Sequence, residues 1–212
     1  MFTMFRFEKE MIPILREYLS HRYKTNYFVD EFNSGNGIAD LVFTTKEINK
    51  YCKTIFDYDL IEVALTSLSR KNKRINVSQF YNNTHISEKQ SKKLLELLIE
   101  NGNLERIDDN ILIVKEKYSA PTKNIISIEA KLSDWKNGFR QAMRYRTYSN
   151  KSYLALSEKF IHRVDLNLLR ENGIGLMSVS PDNVHIVLTA TTKQPTNLVA
   201  YTYLSEKFSK LV

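Results

Sequence analysis

Between Glu8 and about Tyr23 the apolar residues Met11, Ile14, Leu15, Tyr18 and Leu19 recur at helical spacing, which predicts an amphipathic helix. Pro13 fits in its first turn or as a mild kink. Tyr27, Phe28, Val29 and Phe32 then read as a strand, Gly35 and Gly37 as a turn, and Ile38 to Thr44 as a neighbouring strand. The same rhythm returns after Pro121. Ile125 to Leu132 reads as a strand, followed by a helix from Asp134 to about Tyr148 with Trp135, Phe139, Ala142 and Met143 on one face. Tyr153 to Leu156 predicts a short strand, and Phe160 to Leu169 a helix ending near Asn172-Gly173. Ile174 to Val179 and Val184 to Leu188 read as strands split by Pro181-Asp182-Asn183, and Leu198, Tyr201, Leu204, Phe208 and Leu211 predict a last helix.

The texture differs between about Thr45 and Ala120. Asp59 reads as the N-cap of a helix carrying Leu60, Ile61, Val63, Ala64, Leu65 and Leu68. The basic run Arg70-Lys71-Asn72-Lys73-Arg74 follows, then a short segment from Val77 to Tyr81. Ser87 and Gln90 have the spacing of a capping box for a longer helix that ends at Asn101-Gly102. Leu104 to Ile107 and Ile111 to Val114 read as a hairpin turning at Asp108-Asp109-Asn110. Three helices and a hairpin over about Tyr58 to Lys117 resemble a winged helix-turn-helix domain. Such a module binds nucleic acid or protein, and a purely structural α+β subdomain has the same pattern. The expected division is residues 1–45 and 121–212 for one α/β core, with residues 46–120 inserted.

Composition narrows the partners. The chain has 212 residues, 42% hydrophobic and 26% charged, with few glycines and prolines, as a globular protein has. A formal charge of +7 suits a polyanionic partner. The single Cys52 excludes an internal disulfide and a cysteine-based zinc finger, and an intracellular, reducing, cytoplasmic setting is expected. His21, His85, His162 and His185 lack ligand spacing. No apolar run reaches the roughly 20 residues of a membrane span, and the N-terminus becomes charged too early for a secretory signal, so no membrane association is expected.

Chemistry concentrates at Ile126-Ser127-Ile128-Glu129-Ala130-Lys131-Leu132. Strand alternation puts Glu129 and Lys131 on one side and apolar residues on the other. Charges in a core strand are costly without partners, and such places are often functional. Asp40 follows the Gly35/Gly37 turn beside another apolar run. Two carboxylates and a lysine suit a divalent metal and a water held against a phosphodiester. The runs Ile38-Ala39-Asp40-Leu41-Val42, Ile128-Glu129-Ala130-Lys131-Leu132 and Phe139-Arg140-Gln141-Ala142, in that order, resemble the PD-(D/E)xK nuclease superfamily. Ala39 stands where the family has proline.

That resemblance implies a restriction-endonuclease-like α/β fold, a central mixed sheet flanked by helices, with the winged-helix-like segment inserted. It implies a metal-dependent deoxyribonuclease, with Mg²⁺ or Mn²⁺ held by Asp40, Glu129 and the Ala130 carbonyl. Lys131 would orient or deprotonate the attacking water, Glu8 would border the site, and Gln141 would position Lys131 or the phosphate backbone. Each residue also has a plainer reading: an ion pair for Glu129 and Lys131, turn support for Asp40, a first-turn dipole partner for Glu8, ordinary surface for Gln141. Lys136, Arg140 and Arg144 form a helical stripe expected to line DNA. Ser87, Lys89, Gln90, Lys92 and Lys93 are the expected contacts of the inserted helix. Cutting both strands of a duplex favours a homodimer, and a protein partner for the winged helix stays open. A non-catalytic DNA-binding regulator or assembly subunit on a nuclease-like scaffold is the alternative.

Overall fold

The segment Ile125–Lys131 is buried along its whole length, although Ser127, Glu129 and Lys131 are polar. Burial of both faces follows from its place inside a mixed sheet with helices against either side. The computed structural model describes residues 5–48 and 53–212, so Cys52 and the first four residues lie outside the description.

A 3₁₀ turn at Glu8–Glu10 leads into α1 (Met11–Tyr23), where Pro13 occupies the first turn and costs no ladder hydrogen bond. β1 (Phe28–Asn33) and β2 (Ile38–Thr44) form an antiparallel hairpin. The inserted segment holds α2 (Tyr58–Ser67), β3 (Arg74–Asn76), α3 (Val77–Asn83), α4 (Glu88–Glu100), β4 (Leu104–Arg106) and β5 (Ile111–Val114). The chain continues through β6 (Ile125–Lys131), α5 (Trp135–Tyr145), β7 (Lys151–Ser157), α6 (Leu166–Asn172), β8 (Gly175–Val179), β9 (Val184–Leu188) and α7 (Leu198–Leu211). The protein is therefore mixed α/β. No helix among the described residues is long and apolar enough to cross a membrane.

The larger sheet has six strands in the order β1-β2-β6-β7-β8-β9. β6, β7 and β8 run parallel, and the other pairings are antiparallel. Met11, Leu15 and Leu19 of α1 pack on one face with Leu41, Phe43, Ile126, Ile128 and Tyr153. Ala142 of α5 and Leu169 of α6 pack on the other with Leu154, Leu156 and Leu176. The last turn of α5 is fixed by buried hydroxyls: Ser149 Oγ donates to Tyr145 O at 2.8 Å and Ser152 Oγ to Ala142 O at 2.7 Å.

The chain divides into two compact units, residues 1–47, 122–198 and 211–212 in one, and residues 48–121 and 199–210 in the other. The second is the inserted segment joined by most of α7, a helix the sequence pattern had assigned to the core. Val199 and Tyr203 of this helix pack on that unit's core, and Glu206 ties the helix to it. That carboxylate, 1% exposed, accepts the Ile55 and Phe56 N–H groups at 2.9 and 2.8 Å and the Tyr118 hydroxyl. Within this unit Leu60, Ile61, Leu94, Leu98 and Leu112 share one core, and a three-stranded antiparallel sheet runs β3-β5-β4.

Three local expectations change. Asp57, not Asp59, caps α2 by accepting Leu60 N–H at 3.0 Å. The end of the basic run becomes β3, because its backbone pairs with β5. The helix expected over Phe160 to Leu169 is a 3₁₀ segment, Glu158–Arg163, followed by α6, since Asp165 caps a new helix by accepting the Asn167 and Leu168 N–H groups.

Replacing Glu206 with alanine removes the acceptor of two partly buried backbone N–H groups and of a buried hydroxyl. Glu206→Ala should lower the stability of the second unit by roughly 3 kcal/mol. Denaturant unfolding and faster hydrogen exchange at Ile55 and Phe56 would show it, while exchange in β6 and β7 stays unchanged.

Candidate active site

The β2–β6 ladder pairs Leu41 with Ile128, and one residue further on Asp40 stands beside Glu129. There the backbone pairing gives way to a side chain: the Ala130 N–H donates to Asp40 Oδ2 at 2.7 Å. Asp40 takes no part in the Gly35/Gly37 turn. Ser34 and Asn33 hold that turn, through hydrogen bonds to Gly37 O at 2.9 Å and from Gly35 N–H at 2.8 Å.

Glu129 is 1% exposed and Lys131 9%. The Lys131 ammonium lies 2.6 Å from Glu129 Oε1, 3.2 Å from Ala130 O and 3.4 Å from Glu8 Oε2. Glu8, in the 3₁₀ turn before α1, also accepts the Leu132 N–H at 3.3 Å. Glu8, Asp40, Glu129 and Lys131 therefore converge where β6 ends, at the edge where parallel strands of an α/β sheet commonly hold ligands.

Gln141 was expected to position Lys131 or the phosphate backbone. It makes no hydrogen bond to Lys131, and its buried Oε1 has no partner. The residue that does reach the site from α5 is Tyr145, unanticipated from sequence. Its hydroxyl lies 2.5 Å from Glu129 Oε2 and 2.7 Å from Ile38 O, so one proton serves two acceptors. Its sequence signal is helical spacing, four residues after Gln141 and seven after Gly138. Gly138 was missed too. A Cβ there would stand 2.5 Å from Leu154 Cδ1 and 2.8 Å from Lys131 Cγ, so glycine leaves the passage for the lysine stem.

The charges perturb one another. Burial, with the charges of Glu8 and Glu31, raises the Asp40 carboxyl above its ordinary range, against the Ala130 N–H and Lys131. Burial and then the charge of Asp40 raise Glu129, against Lys131 and Tyr145. Burial pulls the Lys131 ammonium down, but its hydrogen bond to Glu129 and the surrounding carboxylates outweigh that and hold it above the ordinary lysine value. That direction favours the ammonium form of Lys131.

Among the described residues, no group of three or more acidic, histidine or cysteine side chains stands ready to hold a metal ion. The donor set does fit Mg²⁺ chemically. Asp40, Glu129 and the Ala130 carbonyl are hard oxygens, and this ion usually takes one or two carboxylates, completing its shell with water and phosphate.

The expected nucleic-acid contacts divide between the units. In the larger unit, Lys136 and Arg140 are exposed, as is Arg144, and none has an ion pair among the described residues. In the smaller unit, Ser87 and Gln90 are occupied by each other in a reciprocal cap of α4. Lys92 pairs with Glu88 at 2.7 Å, while Lys89 and Lys93 are exposed without an ion pair.

Gly138→Ala would raise helix propensity by about 1 kcal/mol yet collide with Lys131 and Leu154. A net loss of stability is expected, read as a lowered melting temperature. For Asp40 the folded pKa is raised, so its stabilising contribution is full at acid pH and is lost as pH rises through the folded value. Asp40→Asn should be more stable than wild type at neutral pH, with a flatter dependence from acid to neutral, in urea midpoints measured across that range.

No protein-family model matches the chain, and comparison with curated proteins and with solved structures returned no match.

Proposed function

We propose that the protein is a Mg²⁺- or Mn²⁺-dependent endodeoxyribonuclease of the PD-(D/E)xK superfamily, hydrolysing DNA phosphodiester bonds. The observation that carries this reading is the meeting of Asp40 and Glu129, far apart in sequence, around the buried Lys131 ammonium at the end of a parallel strand. Buried charges that raise one another's pKa are a costly arrangement for a scaffold and a common one for catalysis. Asp40, Glu129 and the Ala130 carbonyl would hold the ion. When bound, such an ion lowers the pKa of a water and polarises the phosphate.

The chain's own residues supply the rest. Lys131, kept protonated, donates hydrogen bonds to the attacking water and offsets negative charge growing on the phosphate oxygens. Tyr145 fixes the second oxygen of Glu129, so the carboxylate cannot turn away. Glu8 holds the Leu132 N–H and stands beside Lys131 at the outer edge. Lys136, Arg140 and Arg144 offer unpaired cations to a phosphate backbone. In the smaller unit, the order α2-β3-α3-α4-β4-β5 with a β3-β5-β4 ladder supports a winged helix that binds or orients DNA. A homodimer would bring two sites to a duplex.

A second reading has its own support. Both Glu129 oxygens are already engaged, by Lys131 and Tyr145, so the cluster is satisfied without an ion. That favours a non-catalytic DNA-binding or assembly subunit on the same scaffold.

Incubation with plasmid, branched and single-stranded DNA in Mg²⁺ or Mn²⁺ separates the two. Lys131→Ala should cut more slowly by on the order of 10²–10³-fold while binding DNA as before. Equal cutting by wild type and variant would sink the catalytic assignment, and binding without cutting by wild type would favour the scaffold. If about six phosphates are contacted, the log–log salt slope of binding should be roughly −5.

A further inference from the structure

The run Arg70-Lys71-Asn72-Lys73-Arg74 is the densest cluster of basic residues in the sequence, and neither the site nor α4 accounts for it. It is well ordered. Asn72 N–H donates to Val114 O at 2.7 Å and Val114 N–H to Lys73 O at 2.9 Å, so the β3–β5 pairing extends into the loop. Asn72 adopts the left-handed conformation, φ 62°, which asparagine tolerates better than most residues. Lys71 pairs with Glu116 at 2.7 Å, and Lys73 Nζ donates to Ser67 O at 3.1 Å at the end of α2. Arg70, Arg74 and Lys117 are exposed and carry no ion pair among the described residues.

The small sheet is polarised along its length. Its loop end carries Arg70, Lys71, Lys73, Arg74, Lys115 and Lys117 against Glu105 and Glu116. Its opposite end is the β4–β5 turn, placed by Val77 N–H donating to Asn110 O at 2.9 Å. From Asn72 to Val77 the two ends lie roughly 17 Å apart at strand rise. That turn presents Asp108, Asp109 and Ile107, the last 58% exposed, with the exposed Arg106 beside it on β4. Carboxylates at a wing tip repel phosphate. On α4 the exposed Lys89, Lys92 and Lys93 are matched by the exposed Glu88, Glu96 and Glu100. Neither surface resembles a DNA-gripping one.

We propose that the smaller unit holds nucleic acid at the loop end of its sheet, with Arg70, Arg74 and Lys117 on phosphate oxygens of a duplex backbone, and that the wing tip stays off the DNA. Contact of this kind is independent of base sequence. An anionic membrane is the poorer occupant. Among the described residues of this unit the exposed large apolar ones are Tyr58 and Ile107, at the start of α2 and at the wing tip, so none of them lies at the loop end to insert among lipids. The choice of duplex DNA rests on the nuclease reading, whereas the location of the surface does not.

The test uses the full chain in EDTA, so that no cutting occurs, with a fluorescent duplex followed by anisotropy at a series of KCl concentrations. Arg70→Gln/Arg74→Gln/Lys117→Gln should flatten the log–log salt slope by about 2.7, three contacts at 0.9 each, with an unchanged melting temperature. Lys89→Gln/Lys93→Gln and Asp108→Asn/Asp109→Asn should retain the wild-type slope. An unchanged slope in the triple variant overturns the proposal, as does a loss confined to the Lys89/Lys93 variant or a wild type that binds no duplex. Phosphatidylserine vesicles bound as tightly as the duplex would overturn the choice of nucleic acid. Duplex binding through the loop by a protein that cuts nothing would uphold this surface while the nuclease reading fails.

Discussion

The arrangement around β6 depends on one cation. Taking Glu129 out of water costs several kcal/mol unless opposite charge and hydrogen bonds go with it. The Lys131 ammonium, two residues along the same strand, supplies both, and the two side chains touch because alternation returns them to one side of the sheet. Lys131 is in turn protonated because carboxylates surround it. Remove the cation and Glu129 and Asp40 face each other with no counter-charge between them; remove the carboxylates and the buried ammonium keeps only the Ala130 carbonyl. Neither half is stable alone.

Helix α5 enforces this pairing from one side. Gly138 gives the lysine stem its path, Tyr145 reaches back to the carboxylate, and buried serine hydroxyls pin the helix end to β6 and β7. The hairpin contributes from the other side, where β2 gives up backbone pairing so that the Asp40 side chain can take the Ala130 N–H. The site is thus defined by elements with their own reasons to form, and its side chains have little freedom to rearrange.

Much of this was legible in the sequence. Apolar periodicity located the strands and most helices, and the turn residues marked their ends. Asp40, Glu129 and Lys131 were named in advance because charge in an apolar strand is conspicuous, and Glu8 because the resemblance implied an acidic residue at the border of the site. Tyr145 and Gly138 were not, since an aromatic and a glycine on an amphipathic helix look ordinary until the strand beneath is placed. Gln141 does not reach Lys131, one of its two expected partners, because spacing along a helix fixes a direction and not a distance. Ser87 and Gln90 carried two meanings at once, and the cap claimed both. Helix α7 was assigned to the wrong neighbours because its apolar face says only that it packs. Glu206 decides where, through backbone groups near residue 55 that no periodicity reports.

That last helix has a consequence for synthesis. The smaller unit takes residues 48–121 and 199–210, with a long stretch of the larger unit translated in between. During that interval the Ile55 and Phe56 amides and the Tyr118 hydroxyl lack their carboxylate, and the apolar surface that Val199 and Tyr203 later cover is open. Domains that fold as contiguous blocks can finish in order on the ribosome. Here the smaller unit waits, incomplete, while the larger one emerges, and a nascent chain stalled before residue 199 would carry an unfinished unit beside a nearly complete one.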